Sequence, residues 1–175
     1  MSNMQLFVSN KEFDLSKVEP VINRYDRPLG GLWTSTYIPG KGSQWLQSQL
    51  CVVNPDSFGF IFDCDPAAKI LDINNIPDAI EIFEDFNLGV FIPSFKNLVG
   101  EETALGVYKI DFESMARQYD AIHVSGDAVR IHKKHQGRFS PFADWNVDST
   151  VWFNINRLKL IETLDYETLL ELKSL

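Results

Sequence analysis

Residues 27–36 read RPLGGLWTST, and their reading decides the fold. Adjacent glycines suit a turn in which the backbone takes positive φ. The aromatic and β-branched residues behind them suit a strand, so a turn at Gly30–Gly31 and a strand over 31–37 are expected. Upstream, QLFVS at 5–9 predicts a first strand. Downstream, Ser43 is placed to cap a short helix in SQWLQSQL. CVVNPDSFGFIF at 51–62 reads as strand, turn and strand about NPDS, and AKILDI at 68–73 as a further strand. Ile76, Ile80 and Phe83 recur at helical spacing behind Pro77, and Phe112, Met115 and Tyr119 do so over 111–120. AIHVS and STVWFNI read as strands, and DYETLLELKSL as a closing helix with Leu169, Leu170 and Leu172 on its apolar side. Strands outnumber helices without the regular alternation of a doubly wound parallel sheet. The expected fold is α+β, a single domain over 1–175, with mixed or split antiparallel sheets and flanking helices.

The 24 acidic and 16 basic residues leave a net charge of -8, which disfavours non-specific binding to nucleic acid. One basic cluster, RIHKKHQGR, gathers Arg130, His132, Lys133, Lys134, His135 and Arg138; it suits a solvated loop or local steering of an anion. His132 and His135 lack a carboxylate partner at metal-ligand spacing, so no metal is expected. Cys51 and Cys64 both lie in apolar runs and read as core residues of a protein from a reducing compartment. No stretch approaches the roughly 18 apolar residues of a membrane span, and no leader is evident, so a cytoplasmic protein without a membrane partner is expected.

Two constellations carry candidate chemistry. RPLGGLWTST is either a turn with Trp33 as a core anchor, or a pocket in which glycines admit a flat ligand, Trp33 walls it, and hydroxyls orient a phosphate or ribose. It matches neither GxGxxG nor the lysine-bearing phosphate loop. In ADWNVDSTVWFNINRLKLIE, residues 143–162, strand alternation puts Asp148, Thr150 and Trp152 on one side. Asp148 at the mouth of an apolar strand could stabilise a developing cation, or simply cap the preceding turn. His123 is a candidate general base or a partly buried histidine, and Trp152 accompanies Asp148.

In order, LFVSN at 6–10, GGLWTST at 30–36, YDAIHVS at 119–125 and DSTVWFNINRLKLIE at 148–162 resemble the ADP-ribosyltransferase-like superfamily, which splits NAD and transfers ADP-ribose. RPLGGLWTS with the later WNVDSTVW also resembles a group of bacterial and phage proteins, implying the cytoplasm of a bacterium or a phage-infected host. The resemblance implies NAD as substrate, with no metal. Gly31, Trp33, Thr34, Ser35 and Thr36 would shape the nicotinamide-ribose pocket. Asp148 would stand at the catalytic glutamate position, one methylene shorter. The superfamily commonly carries a histidine or arginine on its first strand, where this chain has Val8, Ser9 and Asn10; Arg27 would substitute as the pyrophosphate ligand. The acceptor is unknown, a host protein among the options. Two alternatives accompany this expectation. One is a catalytically inactive acidic protein of phage or mobile-element origin that inhibits a host protein; the other is a two-carboxylate hydrolase, for which the sequence offers acids but no pairing.

Overall fold

The computed structural model describes residues 4–91, 107–130 and 133–175. Among the described residues, nine strands and four α-helices follow in order. They are β1 (Met4–Ser9), β2 (Leu32–Thr36), α1 (Gln44–Gln47), β3 (Phe58–Cys64), β4 (Ile70–Ile73), α2 (Ile76–Asp85), β5 (Asn87–Phe91), β6 (Val107–Ile110), α3 (Phe112–Ala116), β7 (Ala121–Val124), β8 (Ser149–Trp152), β9 (Leu158–Leu164) and α4 (Tyr166–Lys173). Seven strands form one sheet in the order β4-β7-β8-β2-β1-β3-β9, and β5 and β6 pair separately. Every pair is antiparallel except β4 with β7, so the fold is α+β with a mixed sheet.

Alternation along the strands divides the core between the two faces. Leu71, Ile73, Ile122, Val124 and Val151 pack with Phe83 of α2 and Phe112 and Met115 of α3. On the same face, Leu6 and Ile61 pack against Leu46 of α1 and Leu169 and Leu172 of α4. The opposite face buries Leu32, Phe60, Phe62, Ala121 and Trp152 beneath Phe13, Leu15 and Val18. Caps fix the helix starts: Ser43 accepts from the Leu46 amide at 3.2 Å, and Asn75, Asp111 and Asp165 do the same for α2, α3 and α4.

Several expectations need correction. Residues 51–53 form no strand; Cys51 instead sits buried under α1 and α4, and Cys64 is buried on the other face. Both are free thiols, and burial pushes Cys64 up to about 12. The helix expected over 111–120 stops at Ala116, where the amides of Gln118 and Tyr119 both turn back to the Met115 carbonyl. Ile80 is only half-buried, with Ala79 on the core face of α2, and Leu170 is exposed, leaving Leu169 and Leu172 as the buried pair of α4. The strand expected over STVWFNI, residues 149–155, breaks after Trp152. Asp120 accepts from the Phe153 and Asn154 amides and from the Asn154 side chain, Asn154 caps a 3-10 turn at Ile155–Arg157, and the chain re-enters at the far edge as β9. There Ile161 has no partner on β3, a bulge between the Glu162 and Leu160 pairings. Strands β5 and β6 carried no clear sequence signal. Of the basic cluster, His132 lies outside the described residues; Arg138 pairs with Glu84 at 2.7 Å. Among the described residues no helix is long and apolar enough to cross a membrane.

The join between β1 and β2 positions the site. These strands share only two residue pairs, Gln5 with Thr36 and Leu6 with Ser35, and then part. At the far end of β2, Gly30 and Gly31 take φ of 71° and 66°. A Cβ on Gly30 would collide with the Pro20 carbonyl, and one on Gly31 would lie 2.8 Å from Val151 Cγ1. The glycine pair is therefore required by the backbone, and the Gly31 amide donates to the Glu19 carbonyl at 2.8 Å.

Candidate functional site

Where β1 and β2 part, a cavity of about 810 Å³ opens, lined by Leu6, Phe7 and Val8 from one strand and Trp33 and Thr34 from the other. Trp45, Trp145 and Tyr25 add aromatic surface, and Arg24 and Arg27 add cationic groups. Trp33 and Trp145 touch, ring centroids 4.6 Å apart. Such a site, apolar and aromatic with a few convergent polar groups, suits a flat ligand bearing negative charge. Gly30 and Gly31 line a neighbouring depression of about 560 Å³, which shares Phe7 and Trp33 with the large cavity.

Asp26 also lines the large cavity. Burial first, and then a hydrogen bond and charge repulsion from Asp144, push its carboxyl up to about 6. A carboxyl raised on folding stabilises the fold fully below its ordinary value near 4, and that contribution is lost as the pH rises through about 6. Asp26→Asn is therefore expected to be more stable than the parent at pH 7.5, by about 1 kcal/mol once solvent screening is counted, and equal to it at pH 3.5. Urea unfolding at the two pH values measures the difference.

Asp148 sits at the mouth of β8, held from three directions. Its Oδ1 accepts from the Thr36 amide at 3.0 Å, with the Ser35 hydroxyl 3.5 Å away. The Ser35 hydroxyl donates to the Asp148 carbonyl at 2.9 Å, and the Asp148 amide donates to Gln44 Oε1 at 3.2 Å. Oδ2 lies 3.4 Å from His123 Nε2, and the two side chains are 14% and 13% exposed. His123 Nδ1 is 2.9 Å from the Thr150 hydroxyl on the adjacent strand. Behind this group, Trp152 Nε1 donates to the Thr34 hydroxyl at 3.1 Å, which in turn donates to Gln5 Oε1 at 2.7 Å.

Ser35, Thr36, His123 and Asp148 are thus brought together, while Trp33, Thr34 and Arg27 meet in the large cavity. The two groups adjoin but do not share one wall: Asp148 lines a separate depression of about 510 Å³ with Thr36, Lys41 and Gln44. Ser149, its neighbour, lines the large cavity. Trp152 is fully buried and touches neither space.

Comparison with family models, curated proteins and solved structures finds no match.

Sequence reasoning missed Arg24, Tyr25, Asp26, Trp45, Trp145 and Gln44. For the first three the signal was local, since RYDR at 24–27 runs straight into the glycine pair. Trp45, Trp145 and Gln44 reach the site from other elements and had no such signal.

Proposed function

We propose that this protein binds NAD in the cleft between β1 and β2 and transfers its ADP-ribose to an acceptor. The supporting observation is that β2 serves both groups. Its first half gives Trp33 and Thr34 to the cavity wall, its second half gives the Ser35 hydroxyl to the Asp148 carbonyl and the Thr36 amide to the Asp148 carboxylate, and Ser149 carries β8 to the same cavity. Trp33 and Trp145 offer surface to a flat ring, and Arg24 and Arg27 offer charge-assisted hydrogen bonds to the pyrophosphate, standing in for a basic residue on the first strand. The nicotinamide ribose has to extend along β2 from the large cavity into the adjoining depression that Asp148 lines, where the carboxylate accepts a hydrogen bond from a ribose hydroxyl. As the bond from C1′ to nicotinamide breaks, the bonding pair leaves with nicotinamide, and the carboxylate stabilises the positive charge left on the ribose. The acceptor then adds at C1′ and releases its proton.

A second reading, an acidic binding protein without turnover, is favoured by one observation: both Asp148 oxygens already face partners, and the carboxylate does not line the large cavity. Titration calorimetry with NAD, paired with chromatography for free nicotinamide, separates the two. Heat with nicotinamide release supports the transferase, heat without release supports the binder, and no heat removes NAD from both. Three of the four tryptophans line the cavity, so bound NAD should also quench intrinsic fluorescence. Arg27→Ala is expected to weaken NAD binding about tenfold or more without lowering the melting temperature, because its side chain is exposed and a hydrogen bond to a charged group is worth about 1.5–3 kcal/mol.

A further inference from the structure

We infer that His123 is a positioning residue for Asp148, holding the carboxylate in its working orientation through Nε2–H. The inference rests on the transfer reaction proposed above. On the sheet His123 pairs with Thr150 on β8 on one side and Asp72 on β4 on the other. Asp148 faces its Nε2, Asp72 beside it on β4 is exposed, and Lys41 shares the depression that Asp148 lines. A carboxylate can only accept, so the approach of Asp148 Oδ2 to Nε2 at 3.4 Å assigns the ring proton to Nε2, which leaves Nδ1 to accept from the Thr150 hydroxyl 2.9 Å away. Thr36 fixes the other oxygen, so the carboxylate has two anchors and little freedom to rotate.

The carboxylate so held keeps one orientation toward the ribosyl cation, and a carboxylate free to turn away would stabilise that charge less well.

The test measures nicotinamide release from NAD at pH 8 for the parent, His123→Gln and His123→Ala. Gln places an amide donor near the position of Nε2. His123→Gln should keep turnover within about tenfold of the parent, while His123→Ala should lose about 10–100-fold in kcat with KM little changed. A loss in His123→Gln as large as that in His123→Ala, or an undiminished rate in His123→Ala, overturns the inference. If the parent releases no nicotinamide, it is the transferase that fails, and ring nitrogen NMR then decides the His123 contact by itself. An Nε2–H tautomer at pH 8 upholds it, and an Nδ1–H tautomer overturns it.

Discussion

Asp148→Asn is expected to lower nicotinamide release from NAD by about 100-fold or more while leaving the urea midpoint close to that of the parent. The amide oxygen can still accept from the Thr36 backbone, which the parent carboxylate engages at 3.0 Å, so the mouth of β8 stays closed. What disappears is the negative charge opposite the developing cation. Asp148→Ala should lose the same activity and, in addition, about 1–2 kcal/mol of stability, because the Thr36 amide is left without its acceptor in a part-buried position. The pair of variants separates a chemical role from a capping role. Equal turnover in the parent and Asp148→Asn would leave the carboxylate as a cap and would favour the binding protein.

Trp152→Ala is expected to cost about 3–5 kcal/mol, the usual range for truncating a large buried aromatic side chain. Trp152 is fully buried among Leu32, Phe62 and Ala121, so little around it can collapse into the space. Its ring nitrogen also donates to the Thr34 hydroxyl, itself bonded to Gln5, and removing the donor weakens a buried link across three strands. For a chain of this length the loss corresponds to a fall of about 6–20 °C in melting temperature, read by scanning calorimetry. Trp152→Phe should recover more than half of it by refilling most of the volume. A fall of less than about 3 °C for Trp152→Ala would contradict the packing described for this face.

Both predictions concern residues that the sequence already singled out, and the reason is local. The glycine pair announces a turn because only glycine takes those backbone angles cheaply, and the β-branched and aromatic run behind it has one natural partner in STVW. The meeting of Ser35, Thr36 and Asp148 follows from pairing those two strands. Parting of β1 from β2 was not legible, since it depends on how residues 10–31 pack and not on anything within QLFVS. The break after Trp152 was half legible. Asn154 is a turn-forming residue, but its acceptor is Asp120, thirty-four residues earlier in the chain. Leu170 illustrates the ordinary limit of periodicity: three leucines in four positions cannot all face the core, and only the structure decides that Leu169 and Leu172 do.

The two ladder pairs between β1 and β2 have a mechanical consequence. β1, β3 and β9 form one continuously paired plate, with six residue pairs between β1 and β3 alone, and β2, β8, β7 and β4 form another. This seam, two pairs long, is the shortest between neighbouring strands of the seven-stranded sheet, and the large cavity opens beside it. Gln5, Thr34 and Trp152 cross that seam as a bolt of side-chain hydrogen bonds, buried where water cannot compete for them. Two ladder pairs and one chain of side-chain hydrogen bonds thus bridge the two plates, and Asp148 is tied to the seam through the Thr36 amide.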